Sequence, residues 1–154
     1  MHKPLTYMGI DPGGRGGVAI LNEAMEAYAW RYQKSAIAMA RTYKEIISKY
    51  GPVHLCLLEH VWSKKGDGHV GAFSFGRNYG QHEMAMAMLE IPQIDVIPRV
   101  WQKAILGEAT GDTKARSLAL ARVEYPNVDL RFKVDDGKAD ALNMAMYAMM
   151  EDNK

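Results

Sequence analysis

The chain has 154 residues, 48% hydrophobic and 24% charged, with a formal net charge of +1. This is the balance of one soluble globular domain spanning 1–154, long enough to bury an ordinary core without disulfides or structural metal. No apolar run reaches bilayer length, which excludes a membrane-spanning helix.

Leu5 to Ile10 and Gly17 to Leu21 are apolar, β-prone runs, and the turn Pro12-Gly13-Gly14-Arg15-Gly16-Gly17 between them predicts a hairpin. Asp11 ends its first strand. A carboxylate that follows a nearly unbroken apolar run needs a cation or a hydrogen-bond donor nearby, although Asp-Pro also simply begins turns. Glu26 to Tyr32 suits a third antiparallel strand. A helix is expected from about Ser35 to Tyr50, with Ile37, Ala40, Ile46 and Ile47 at helical spacing, and Gly51-Pro52 stops it. Val53 to Leu58 is a short continuous apolar run, the pattern of a central strand covered on both faces, and it ends in Glu59. A strand closed by an acid thus occurs twice. Cys56, the single cysteine, lies in this run. It reads as a buried thiol in a reducing compartment, since one cysteine makes neither an internal disulfide nor a zinc cluster. Together with the Met1-His2-Lys3-Pro4 start, too short for a signal peptide, it predicts a cytoplasmic location.

Ser63 to Gly71 reads as a mobile glycine-rich basic loop, followed by a helix from about Ala72 to Leu89. Gly76 and Gly80 fall one turn apart, and Met84 and Met88 continue their line. Each helical glycine costs about 1 kcal/mol relative to alanine. Close approach of another backbone would compensate, either within the chain or from a second copy. Gln93 to Ile97 is a fifth strand, Pro98 opens a helix to about Leu106, and Gly107 to Gly111 is a loop. Asp112 or Thr113 caps a helix to about Glu124, Pro126 to Lys133 is irregular, and a last helix starts near Asp135 with Leu142, Met146 and Met149 on its buried stripe. The expected fold class is α/β: a mixed five-stranded sheet, three antiparallel strands then parallel ones, with helices on both faces.

Asp136 and Asp140, four apart, project from one face of the last helix. With the strand-end acids Asp11 and Glu59 they form a candidate oxygen-rich site suited to Mg2+, with Mn2+ as a substitute. Four acids brought together without cations would raise one another's pKa and destabilise the fold. Two divalent ions remove that penalty and supply phosphodiester chemistry. The near-neutral net charge does not argue for a nucleic-acid partner. With these four acids neutralised by bound ions, however, the remaining surface is mildly basic and allows one.

The segments G-I-D-P-G-G-R-G-G-V-A-I, C-L-L-E-H-V, F-G-R-N-Y-G and K-A-D-A-L-N-M-A, in this order over nearly the whole chain, resemble the RuvC family of Holliday-junction resolvases. The short length and the W-S-K-K-G-D-G loop look more like its phage-encoded members, which would act in the host cytoplasm. The resemblance implies a ribonuclease H-like fold, a homodimer and magnesium-dependent hydrolytic nicking of branched DNA, four-way junctions above all. It implies that Asp11, Glu59 and Asp140 are catalytic acids. The family's remaining acidic position falls on Gly137, so Asp136 fills it only if the helix start shifts slightly; Asp135 competes, as ligand or as cap. Lys114 matches a family active-site lysine that orients the scissile phosphate or balances charge, its alternative being a first-turn surface lysine. A second family lysine aligns with Gln102, leaving Lys103 beside it.

The loop after Glu59 lies at the junction crossover in this family's fold. There Trp62, Phe73 and Phe75 are candidates to stack on unpaired bases, and Lys64, Lys65 and Arg77 to contact phosphates, while Phe75 is equally suited to the core. Arg15, in the hairpin turn, is a further phosphate candidate. A junction presents two equivalent scissile phosphates, so a two-fold dimer places one site at each; Gly76, Tyr79, Gly80 and Met84 are the candidate interface. Three other readings compete: a fork or flap nuclease of the same fold, a non-catalytic junction-binding protein, and a sugar-kinase-like phosphotransferase. The chain is too short for the second nucleotide-binding half that the last requires, so no nucleotide cofactor is expected.

Overall fold

The computed structural model describes residues 2–154, so the expectation drawn from the chain's Met1-led start falls partly outside them. Its elements are β1 (Thr6–Asp11), β2 (Gly17–Asn22), β3 (Ala27–Arg31), α1 (Ala36–Tyr50), β4 (Leu55–Glu59), α2 (His69–Met88), β5 (Gln93–Val96), α3 (Pro98–Leu106), α4 (Thr113–Glu124) and α5 (Asp136–Asp152), with a short 3-10 turn, Lys133–Asp135, leading into α5. The sheet order is β3-β2-β1-β4-β5. β1, β2 and β3 are antiparallel, and β4 and β5 run parallel to β1. This is the mixed sheet the apolar runs predict.

The two-residue period of the strands divides the core. Met8, Ile10, Val18, Ile20, Cys56 and Leu58 face one side, against Met39, Tyr43 and Ile46 of α1 and Met86 of α2. Ala19 and Leu21 face the other, with Leu118 and Ala121 of α4 and Ala141, Leu142 and Ala145 of α5. Tyr7, Leu57 and Trp101 of α3 complete that side with Met144, Tyr147 and Ala148. Helices therefore cover both faces.

Helix α5 is the hub. It crosses β1, β2 and β4 and is covered from outside by α3 and α4, so its buried surface differs from the expected Leu142–Met146–Met149 stripe: Ala141 to Ala145 is a continuous buried run, whereas Met146 and Met149 are only half-buried. Gly9 makes this possible. A Cβ there would lie 2.0 Å from the Ala141 carbonyl oxygen and 2.6 Å from the Ala145 nitrogen, so only a glycine lets the helix backbone touch the central strand.

Three local expectations are corrected. Helix α1 is capped by Ser35, whose hydroxyl accepts from the Ala38 N–H, but its buried stripe is Met39, Tyr43 and Ile46, and Ile37 points to solvent. The strand after Pro52 starts at Leu55 rather than Val53. Helix α2 starts at His69, so the final three residues of the expected 63–71 loop are already helical, Ala72 N–H donating to the Gly68 carbonyl. Among the described residues no helix is long and apolar enough to cross a membrane.

Candidate active site

Parallel pairing of β1 and β4 runs through Ile10 and Leu58, which leaves Asp11 and Glu59 side by side at the same sheet edge, one residue beyond the last pair. The two acids come together because both strands stop at the same level. Asp11 is 8% exposed, and its Oδ1 accepts from the Gly13 N–H at 3.0 Å. Glu59 Oε2 accepts from the indole Nε1–H of Trp101 at 2.7 Å. Trp101 is fully buried on α3, so it fixes that carboxylate with a rigid donor.

The N-terminus of α5 brings in the other acids. A Cβ on Gly137 would sit 2.2 Å from the Arg15 carbonyl oxygen, so the hairpin turn rests directly on the first turn of this helix. Asp136 and Asp140 both face inward from there. Helix α4, whose first turn is capped by the Asp112 carboxylate accepting from the Lys114 and Ala115 N–H groups, presents Lys114 to them. The two helices are joined in the interior by the Asn143 amide, which donates to the Ser117 carbonyl at 3.1 Å and hydroxyl at 2.9 Å.

The Lys114 ammonium stands at the centre of the cluster. Its Nζ lies 2.9 Å from Asp140 Oδ2 and 3.9 Å from both Asp11 Oδ2 and Asp136 Oδ2. Among the described residues no three Asp, Glu, His or Cys side chains are already set around one point at ligand spacing; three aspartates are grouped around this amine instead.

The electrostatics follow. Burial pushes the Asp11 pKa up to about 6, with nearby Asp140 adding to the shift and Lys114 opposing it. Burial and then Asp11 raise Glu59 to about 7, against the hydrogen bond from Trp101. Asp140 is also raised by burial, despite Lys114. Partial burial disfavours the charged lysine, yet Asp140, Asp11 and Asp136 together hold its pKa above the usual lysine value. Buried carboxylates with raised pKa values thus lie together at one sheet edge, with the Lys114 ammonium as their partner.

Asp135 and Asp136, open alternatives in the sequence, have different surroundings. Asp135 is bound by Arg31 Nη2 at 2.6 Å, Lys138 Nζ at 3.1 Å and the Phe132 N–H at 2.9 Å. Burial opposes its ionisation, but Arg31 and then the Phe132 N–H hold its pKa below the usual carboxylate range. It tethers β3 to the start of α5, and its side chain is fully occupied. Asp136 is the one that faces Lys114.

The donor set suits a hard divalent cation. It consists of carboxylate oxygens with no thiolate or imidazole among them. One buried oxygen, Asp140 Oδ1, has no hydrogen-bond partner among the described residues, and a charged lysine already occupies the space between three of the acids. Asp11, Asp136 and Asp140, with Glu59 beside them, are the residues that would hold such ions.

A groove of about 670 Å³ opens from Asp11 and Glu59 between the 61–68 loop and α2, lined by Trp62, Lys64, Phe75, Gly76, Tyr79 and Pro98 among others. Of the predicted DNA contacts, Trp62 and Lys64 line it, and Lys65, Phe73 and Arg15 are exposed. Phe75 is half-buried in its wall. Arg77 turns instead to a second groove between α1 and α2. Lys103 is paired with Glu108 at 2.6 Å on the surface. The predicted interface set also divides. Tyr79 packs toward the sheet, its hydroxyl donating to Asp95 Oδ1 at 3.3 Å, whereas Gly76, Gly80 and Met84 are exposed. Sequence reasoning missed Trp101, whose only signal is a tryptophan on the apolar stripe of a short helix, and the close approaches at Gly9 and Gly137.

A mixed sheet in the order β3-β2-β1-β4-β5, with helices on both faces and a central helix carrying acids to the edge where β1 and β4 end, defines the ribonuclease H-like class of fold. Among solved structures, the chain is similar to Thermus thermophilus RuvC: TM-score 0.65 and 18% identity, over 96% of this chain and 97% of that one. It is similar also to T. thermophilus RuvC in complex with a Holliday junction substrate, at TM-score 0.68 and 18% identity over 96% of each chain. At that identity the likeness is one of fold. No protein-family model matches the chain, and no curated protein sequence matches it.

Proposed function

We propose that this chain is a metal-dependent endonuclease that resolves four-way DNA junctions by paired symmetric nicks, acting as a homodimer. The observation that carries the reading is the convergence of Asp11, Asp136 and Asp140 on one cation position, with Glu59 adjacent. Acids facing a phosphate backbone weaken binding unless cations neutralise them, so such a cluster at a groove mouth favours catalysis over passive DNA binding. Two Mg2+ ions, or Mn2+ in their place, would be held by the four carboxylates; when bound, such ions activate water and offset charge on a phosphodiester.

The chain's own residues have distinct tasks in this reading. Trp101 holds the Glu59 carboxylate in one orientation. Lys64 offers positive charge to the backbone of a strand lying in the groove, and Trp62 and Phe75 offer faces to unstacked bases. Phe73, exposed on α2, offers a further aromatic face to DNA at the crossover. The exposed stripe of Gly76, Gly80, Met84 and Met88 is the surface proposed to meet a second copy, because a Cβ added at Gly76 or Gly80 would have no atom within 4 Å among the described residues. The basic glycine-containing 62–68 loop is what supports a phage-encoded relative acting in a host cytoplasm.

The test is cleavage of labelled four-way, forked and linear DNA, with and without Mg2+ or Mn2+. Symmetric paired nicks confined to the four-way substrate and dependent on the ion are expected. Absence of cleavage with either ion, or equal cutting of linear duplex, overturns the proposal.

A further inference from the structure

Lys114 stands where a divalent ion would be held. One ammonium serves three carboxylates from two separate elements, at 2.9, 3.9 and 3.9 Å, and only the Asp140 contact is short enough for a hydrogen bond. The other two are electrostatic contacts, loose enough to be given up. Asp140 Oδ1 is left buried and unpartnered among the described residues, so the amine satisfies the cluster incompletely. A buried acceptor without a partner bears a desolvation cost that a better cation would remove. The lysine is also able to leave: its side chain is 58% exposed, whereas those of Asp11, Asp136 and Asp140 are 12%, 15% and 8% exposed. The amine is thus the mobile member of a fixed acidic cluster.

We propose that Lys114 is an internal counter-ion that occupies the acidic cluster while no divalent ion is bound and is displaced when one binds. The inference rests on the reading of this cluster as a metal site. Without Lys114 the acids would face one another unscreened in a buried setting, at a cost to the fold. With it the metal-free chain stays folded, and each ion must displace a like-charged group to bind. The two occupants are therefore mutually exclusive, and each lowers the affinity of the cluster for the other, as linkage requires. The displaced ammonium swings to the solvent side of the site, where a DNA phosphate would approach.

Binding of Mn2+ and of Mg2+, in the absence of DNA, is measured by isothermal titration calorimetry for wild type, Lys114→Met and Asp11→Asn, beside thermal unfolding in EDTA. Lys114→Met is expected to bind about tenfold more tightly than wild type, a modest return for removing a like charge within 4 Å, and to melt lower in EDTA, with Mn2+ closing the gap. Asp11→Asn is expected to bind more weakly than either. A second measurement uses wild type alone, so it does not depend on the variant folding. The lysine ammonium 1H–15N resonance of Lys114, assigned by its loss in Lys114→Arg, should move toward solvent-exposed lysines during a Mg2+ titration, with the calorimetric midpoint. Equal or weaker ion binding by a folded Lys114→Met, or a Lys114 resonance unmoved at saturating Mg2+, overturns the exchange and leaves the metal site standing. Failure of both wild type and Lys114→Met to bind either ion overturns the metal-site reading itself.

Discussion

Asp11 and Glu59 carry carboxylates whose pKa values stand at about 6 and about 7 in the metal-free fold, chiefly because burial disfavours their charged forms. In an unfolded chain they would titrate near roughly 3.9 and 4.3. A raised folded pKa means the native state binds more protons than the unfolded state between those limits. Their stabilising contribution is fully present below the unfolded values and is lost as pH rises through 6 to 7. In EDTA the melting temperature should therefore fall between pH 5 and pH 8, less steeply in Glu59→Gln; saturating Mg2+ should reverse the slope, because ions bind the ionised acids. A metal-free melting temperature that climbs across this range would contradict the assignment. For catalysis, Asp11→Asn and Glu59→Gln should each lower junction nicking at least about a hundredfold, more than loss of a group that merely supports a ligand costs. Junction binding, followed by gel shift, should survive in both. Trp101→Phe keeps most of the buried ring but removes the 2.7 Å hydrogen bond to Glu59. Losing a bond to a charged group costs about 1.5–3 kcal/mol, to be read from urea unfolding at a pH well above the Glu59 pKa, where the carboxylate is ionised.

At the scale of elements, the site exists because α5 lies directly on β1 and its first turn lies directly on the hairpin. Both contacts are backbone to backbone, so neither neighbour has a flexible tip that can move aside. Gly9→Ala places a methyl 2.0 Å from the Ala141 carbonyl oxygen and should destabilise the fold by about 3 kcal/mol, the upper part of the usual range for overpacking. Gly137→Ala pushes instead on the Arg15–Gly16 turn, at the end of the helix. It should cost less stability and more activity, since the shift separates Asp136 and Asp140 from Asp11. Denaturant curves and nicking rates measured on both variants distinguish a global packing loss from a displaced site.

At the scale of the whole molecule, one group of exposed apolar side chains lies on two neighbouring helices. Val70, Met84 and Met88 of α2 and Ile37 of α1 are all exposed, with Gly76 and Gly80 on the same helix as the methionines, and the groove between α1 and α2 is predominantly apolar. A methionine-rich, glycine-cleared helix face of this kind suits close packing against a second copy. Gly80→Leu meets no atom within 4 Å of the added Cβ among the described residues, so the isolated protomer should fold normally by circular dichroism. Light scattering should show a monomer, and paired cleavage should be lost. An intact Gly80→Leu dimer with wild-type cleavage would remove this face from the interface.

What the sequence alone determined was the set of elements and their order. Apolar strand runs, a capping residue at Asp112 or Thr113, Pro98 at a helix start and acids at two strand ends are local signals, and each is realised in the fold, with Asp112 as the cap. It also marked Asp11 and Glu59 as acids ending apolar strands and Asp136 and Asp140 as a pair on one helix face, whereas Lys114 stood out only through the resemblance to a known family. Tertiary structure alone decided the choice between neighbours. Asp135 and Asp136 are neighbours at the end of a 3-10 turn, yet one meets Arg31 and the other Lys114. The partners of Trp101 and Gly9 could not be read locally because they are 42 and 132 or more residues away in sequence. Contacts that distant are fixed by how the layers pack, not by any local pattern.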